Sequence, residues 1–334
     1  MTQVIRLDPA LPRQEAIDLG ASIIRDGGLV AFPTETVYGL GADAMNETAV
    51  QKLFRAKRRP ADNPLIVHVS DRDMLDSVAA GVTPQGERLI GRFWPGPLTL
   101  VLKRQPEVAR SVSAGLPSVA VRMPSNKIAL ELIKSARTPI AAPSGNASGR
   151  PSPTIAAHVL EDLGDRVDLI FDGGPTSIGI ESTVLDLTTE PPMILRPGAV
   201  TREMLMEIIG RVDQATSGEH LGRSPGTRHQ HYSPRARVLL VEHDSPESIE
   251  LICRERLTEG AVGFIGHTRA AIDDDEFFVI EVGSADDYAR ALYGALRELD
   301  QKGARVIVVE GISEDGKGAA VMDRLRRAAS EVIE

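Results

Sequence analysis

The chain has 334 residues, 42% of them hydrophobic and 25% charged, and a formal charge of −9, which suits one large or two smaller globular domains. Its single cysteine, Cys253, excludes a disulfide framework or a thiolate zinc site within one chain and fits a reducing compartment. Aromatic residues are scarce at 4%, which argues against a single-strand nucleic-acid platform built on stacked rings.

The charge is unevenly placed. Residues 237–334 hold 12 basic against 21 acidic side chains, whereas residues 1–236 hold 26 of each. An anion site is therefore expected in the first part, and the last third is a poor surface for nucleic acid. The start, MTQVIRLDPALPRQEA, carries no apolar run like a secretion signal, and no segment reaches membrane-span length. A cytoplasmic protein without a membrane partner is expected.

In chain order, Ile17, Ala21 and Ile24 recur at helical spacing, and Gly27-Gly28 stop that helix before the strand LVAF. Asn46 is placed to cap a helix burying Val50, Leu53 and Phe54. Its C-terminal end carries RAKRR, with Pro60 expected to break it and Asn63-Pro64 leading into the buried strand LIVHV. Further strands are expected at LTLVLK from Leu98, SVAVRM from Ser118, PIAA from Pro139, VDLIF from Val167, STVLDL from Ser182 and MILR from Met193. A helix opened by Thr201 ends this part, an alternation that reads as an α/β layer fold.

Residues 211–236 then lose periodicity, and a connection of that length is expected to be a linker or functional loop. A second α/β pattern follows over 237–334: RVLLVE, a helix entered at Ser245-Pro246, AVGFIG, FFVIEV, a helix with Ser284 as cap and Asp287 three residues on, RVIVVEG and a final helix. This order reads as a small Rossmann-like unit, without a phosphate loop.

Three segments offer chemistry. Arg55 and Arg58 are best read as solvated helix charges, whereas Lys57 and Arg59, at the break into a Pro-Asn-Pro loop with Asn63, suit a polyphosphate. PTETVYGLGADA spaces Gly39, Gly41 and Ala44 like a dinucleotide fingerprint, but the first glycine lies too far beyond the strand LVAF. A pocket wall for a small polar ligand is expected there instead. AAPSGNASGRPSPT follows a strand, and its amides and hydroxyls can cradle phosphate without charge. His68 reads first as a core histidine, the His229-x-His231 pair is a weak metal motif, and Cys253 is expected to be buried and inert.

Taken together, FPTETVYGLG, KRRPADNPLIVH, FWPGPLTLVL, VAVRMP, APSGNASGRPSPT, ESTVLDL, ILRPG and SPGTRHQHYSP resemble the YrdC-type L-threonylcarbamoyl-AMP synthases, in the longer form with an added C-terminal domain. The resemblance implies a YrdC-like twisted mixed sheet, with helices forming a concave pocket, over residues 1–210. It makes 211–236 an active-site lid and 237–334 the Rossmann-like domain. The implied reaction joins L-threonine, bicarbonate and ATP into threonylcarbamoyl-AMP and pyrophosphate. Separate transferase proteins then carry the group to the adenosine beside the anticodon of tRNAs reading codons that start with A, so tRNA is only an indirect partner.

Position by position, the resemblance implies Thr36, His68, Arg122, Ala142 and Ser182 as threonine contacts. It implies Arg59, Asn63, Ser118, Ser144, Ser152, Arg196 and the linker residue Tyr232 as ATP contacts, with Lys57 and Arg59 as the catalytic Lys-x-Arg pair. Mg2+ is expected with ATP, held mainly by phosphates and water, with no dedicated protein ligands and with Glu35 and Glu181 as outer helpers. Thr227 and His229 depart from the family's linker pattern, and Ala142 stands where some members have threonine. The rival reading is a double-stranded RNA or tRNA-binding module without adenylation chemistry. A hydrogenase-maturation carbamoyl transferase is excluded by the lone cysteine.

Overall fold

The computed structural model describes residues 1–215, 232–242, 245–268 and 272–333. It falls into two compact units, the first made of Met1–Ser148, Ser152–Ser177 and Glu181–Arg228, the second of Gly149–Pro151, Ile178–Ile180 and His229–Glu334.

The first unit begins with β1 (Gln3–Arg6), α1 (Gln14–Arg25), β2 (Val30–Phe32), β3 (Gly39–Asp43), α2 (Glu47–Lys57), β4 (Ile66–His68), α3 (Arg72–Val78) and β5 (Ala79–Ala80). It continues with α4 (Pro84–Phe93), β6 (Leu98–Arg104), β7 (Ser118–Arg122), α5 (Lys127–Ala136), β8 (Ile140–Ala141), α6 (Ala156–Leu163) and β9 (Leu169–Asp172). It ends with β10 (Thr183–Asp186), β11 (Met193–Arg196), α7 (Arg202–Ile209) and β12 (Asp213–Gln214). These strands form one mixed sheet in the order β1-β9-β2-β3-β8-β4-β7-β6-β10-β11-β12, with β5 on β6.

Side chains alternate across a strand, so each face of this sheet can be read from the register. Val67, Leu100, Val121 and Leu185 point to the main apolar core, which the helices cover. Their neighbours Ile66, Val101, Ala120 and Val184 form a small separate cluster on the opposite face. That second face carries most of the expected site residues.

Every strand expected from the sequence is present, but β3 was read as a glycine-rich loop. The antiparallel pairing of Val30 with Gly41 and Phe32 with Gly39 makes it a strand. A Cβ on Gly41 would lie 2.7 Å from both Ile140 and Phe32 side-chain atoms, so glycine is required there for close packing of neighbouring strands. The rejection of the dinucleotide fingerprint holds, because these glycines sit inside a strand and not in a strand-to-helix turn.

The second unit contains β13 (Arg237–Val241), α8 (Pro246–Arg256), β14 (Val262–Gly266), β15 (Phe277–Glu281), α9 (Ala285–Gln301), β16 (Val306–Glu310), α10 (Gly318–Ala328) and β17 (Glu331–Ile333). Its sheet, β15-β14-β16-β13-β17, is parallel throughout. The expected final helix is followed by β17, which pairs with β13 over Leu239–Val241. Serine 284 and Asp287 form the expected capping box. Cys253 is fully buried, and burial pushes its thiol up to about 12, in keeping with the inert role expected of it. Among the described residues, no helix is long and apolar enough to cross a membrane.

Candidate active site

Helix α2 delivers the basic cluster. Asn46 Oδ1 accepts from the Ala49 amide at 3.2 Å, satisfying one of the orphan donors at the helix start. The other end is closed by Arg58 in the left-handed region, φ 53 and ψ 41, with its N–H returned to Arg55 and Phe54 carbonyls. The helix therefore ends before Pro60, and Arg58, not the proline, turns the chain. Arg55 and Arg58 are exposed, as expected.

Lys57 is buried to 1% exposure. Its ammonium donates to the carbonyls of Ser144 and Asn146, and its own carbonyl accepts from the Ser148 amide at 3.1 Å. The lysine thus staples the Ser/Gly/Pro loop to the end of α2. Burial holds the ammonium well below the usual lysine range; the Arg59 charge adds to this, Asp162 opposes it and Arg166 adds again. Arg59, half-buried, donates through Nε to Asn63 O at 3.2 Å and through Nη2 to Pro64 O at 2.8 Å. It orders the loop that carries the fully buried Asn63 into β4.

On the second face of the sheet, β4 and β7 run parallel with His68 directly paired to Arg122. Both are buried. Arg122 donates through Nε to Gly96 O at 3.0 Å and through Nη1 to Thr36 Oγ1 at 2.9 Å. Its Nη2 lies 2.6 Å from Glu35 Oε1, yet neither atom makes an aligned hydrogen bond. The pair is a buried charge contact whose N–H points elsewhere. His68 is pushed down to about 3, first by burial and then by the Arg122 charge. It is therefore a neutral imidazole at ordinary pH, with Nδ1 lacking a hydrogen-bond partner among the described residues.

A one-residue register shift places the next arginine. Val184 pairs with Arg196, but Leu185 pairs with Ile194, so Leu195 is the extra residue of a β-bulge. The bulge turns Arg196 onto the face that Val184 presents. There Arg196 donates to Ser182 O at 3.1 Å and Ser182 Oγ at 3.2 Å, and Ser182 Oγ shares a 2.8 Å bond with Thr99 Oγ1. Ser152 Oγ donates to Glu181 Oε1 at 2.6 Å, both groups buried.

The structure therefore joins Thr36 and Arg122, with His68 beside them; Ser182 and Arg196; Lys57 and Ser144; and Arg59 and Asn63. Ser118 shares the face of Arg122 but sits four residues away along β7, about 13 Å at strand rise, a separation suited to a long ligand. Ala142 commits its amide to Ile66 O at 2.9 Å. Tyr232 belongs to the second unit, where it is buried with its ring 5.1 Å from that of Tyr293. The expected lid segment around Thr227, His229 and His231 lies outside the described residues.

Sequence reasoning named Glu35 and Glu181 only as outer helpers to a metal; they are the buried partners of Arg122 and Ser152. Thr99 was missed, although a threonine between Leu98 and Leu100 in an apolar strand is a readable signal of a polar second face. Among the described residues, no three His, Cys, Asp or Glu side chains are grouped to hold a metal ion.

Comparison with known proteins shows the family. A family model described as telomere recombination, covering the Sua5, YciO and YrdC proteins, matches residues 22–198. A second, described as threonylcarbamoyl-AMP synthase, C-terminal domain, matches residues 200–330. The threonylcarbamoyl-AMP synthase of Pyrococcus abyssi is 47% identical over 94% of each chain. That of Bacillus subtilis is 43% identical over 92% of this chain and 91% of its own. A crystal structure of P. abyssi Sua5 complexed with L-threonine superposes with a TM-score of 0.94 at 44% identity, covering 100% of both chains. With its paired sheets, its buried arginines on one sheet face and these relatives over nearly its whole length, the chain belongs to the threonylcarbamoyl-AMP synthase family and is an enzyme of that kind.

Proposed function

We propose that the second face of the first unit's sheet binds L-threonine at Arg122 and ATP along the row from Arg59 to Arg196. Threonine's amine and bicarbonate form a carbamate with loss of water. A carbamate oxygen then attacks the α-phosphorus, the bond to the β-phosphate oxygen breaks, and pyrophosphate leaves with the electron pair. No side chain need take a proton in that last step, so positioning and charge neutralisation carry the rate.

The observation that carries this reading is Arg122. A buried guanidinium fixed by Gly96 O and Thr36 Oγ1 is oriented in advance for a carboxylate. The neutral His68 beside it adds no competing charge. Thr36 and Ser182 supply hydroxyls for the amino acid, with Ala142 a backbone neighbour. Arg59, Asn63, Ser118, Ser144, Ser152 and Arg196 supply the nucleotide contacts, and Lys57 keeps the Ser144 loop in place.

Mg2+ bound with ATP would be held mainly by phosphate and water, and would supply charge neutralisation for pyrophosphate as the leaving group. This suits a face where Arg122 engages Glu35 and Ser152 engages Glu181. The product passes to separate transferase proteins acting on tRNA. The test is the mass of the nucleotide formed from ATP, threonine and bicarbonate. An AMP adduct bearing the threonylcarbamoyl group, made only with all three present, supports the reading, whereas pyrophosphate release that ignores threonine overturns it.

A further inference from the structure

The second unit holds a cleft of about 810 Å³ that the adenylation chemistry does not use. It lies where Val241 ends β13 and where His267, Gly283 and Gly311 follow the ends of β14, β15 and β16. Open parallel sheets bind ligands at this carboxyl edge, where diverging connections leave a crevice. The usual occupant of such a crevice is a nucleotide, whose phosphates need positive or amide-rich walls. This cleft has the opposite character.

Four carboxylates line it, Glu242, Glu310, Glu314 and Asp315, against one guanidinium, that of Arg326, a balance of −3 between these groups. The lone cation is already engaged. Arg326 meets Glu242 through two bonds of 2.7 and 3.0 Å and Glu314 at 2.7 Å. Two carboxylates already offset its charge, which makes it a weak anchor for a phosphate.

The cleft is also built, and not merely acidic. Glu310 is 7% exposed and accepts the amides of His267 and Thr268, both at 2.8 Å, and the Thr268 hydroxyl. A Cβ on Gly266 would lie 2.3 Å from Glu310 Oε2, so glycine at the end of β14 is what admits the carboxylate. His267 Nε2 lies 3.1 Å from Glu310 Oε1. The imidazole thus stands against the buried carboxylate at the mouth of the cleft. Val241, Ile312 and Met322 supply apolar wall.

We propose that this cleft is a binding site for a small aliphatic amine cation. Carboxylates outnumber cationic groups in the lining, the net charge calls for a cation, and the apolar wall suits methylene groups. A volume of about 810 Å³ is that of an organic ligand and far exceeds a bare metal ion.

The test is calorimetric titration of the full-length protein with spermidine at moderate ionic strength, since a protein of charge −9 attracts any polycation at low salt. Glu314→Gln with Asp315→Asn removes two charges while keeping shape. A charge-matched control, Asp273→Asn with Asp275→Asn, alters exposed acids just before β15, at the opposite edge of the sheet. The expected result is saturable binding of one spermidine, weakened at least tenfold by the cleft pair and unchanged by the control pair. Equal weakening by both pairs would reveal diffuse surface attraction and overturn the site. Absence of saturable binding, or displacement of spermidine by AMP, would overturn the ligand class.

Discussion

The two candidate sites, one in each unit, pose opposite electrostatic problems on the same kind of scaffold. In the first, buried cations, Lys57, Arg122 and Arg196, are held by carbonyls, hydroxyls and one carboxylate. In the second, carboxylates are held by amides, a hydroxyl and one guanidinium. Both are α/β sheets, so fold alone does not say which sign of ligand a unit takes. The sign is set by which side chains stand at the strand ends, and by what already satisfies them.

The largest expected effect comes from breaking the cationic side at its most buried point. Arg122→Ala should abolish pyrophosphate release and, by leaving Glu35 buried without its charge partner, cost about 3–5 kcal/mol of stability. Arg122→Lys separates the two effects. It keeps the charge but loses the planar fork, so turnover should drop by about 10²-fold or more while Tm moves little. Equal activity in the lysine variant would mean that charge, and not orientation, is what the site requires.

Next comes Lys57→Met, which keeps the stem and removes the donor. The loop at Ser144 and Asn146 loses its staple, and a displacement of about 1 Å at this proposed nucleotide contact can cost about 10²-fold in turnover. Stability should respond with its own sign. The folded state holds the Lys57 proton less tightly than the unfolded chain, whose lysine titrates at 10.5. Wild-type stability therefore rises with pH from the lowered native value towards 10.5, a slope that denaturant melts of the methionine variant should lack.

His68 sharpens the comparison at the acid end. Its native value is about 3 against 6.5 in the unfolded chain, so the unfolded state binds the proton first as pH falls. The stabilising advantage is complete above 6.5 and lost on the way to about 3, on the order of 5 kcal/mol in total. Urea melts of His68→Gln should show a flatter pH dependence over that window. An unchanged slope would place the acid sensitivity in other groups.

How much of this could be read beforehand depends on whether the cause was local. Apolar runs such as LIVHV and LTLVLK announce buried strands, and Asn46 and Ser284 announce helix starts, because each signal lies within a few residues. The conformations that aim the site do not. Arg58 takes a left-handed turn that sequence patterns reserve for glycine. The bulge at Leu195 exists only as a mismatch between two strands, and nothing in MILR foretells that it swings Arg196 to the second face of the sheet. Gly39 and Gly41 look like turn residues because their packing partners, Phe32 and Ile140, are distant or belong to other elements. The carboxylate beside Arg122 stands far away in the chain, at Glu35. Motif resemblance located these residues; only the register explains their arrangement.

The smallest predicted effect tests whether the cationic side depends on the whole of α2 or only on its last turn. Asn46→Ala removes the cap at the start of the helix, and should lower stability by about 1 kcal/mol, or several degrees in Tm. The opposite end is held independently, by the Lys57 bonds to Ser144 and Asn146 and by the Arg166 donation to Ala56 O at 2.8 Å. Fraying at the first turn should therefore not travel eleven residues to the cluster. The KM for ATP, measured below the new Tm, should stay within about twofold of wild type, since termini open locally without the body of an element following. A KM that rose with the loss of stability would show α2 moving as one lever, its cap as much a part of the nucleotide site as Lys57 itself.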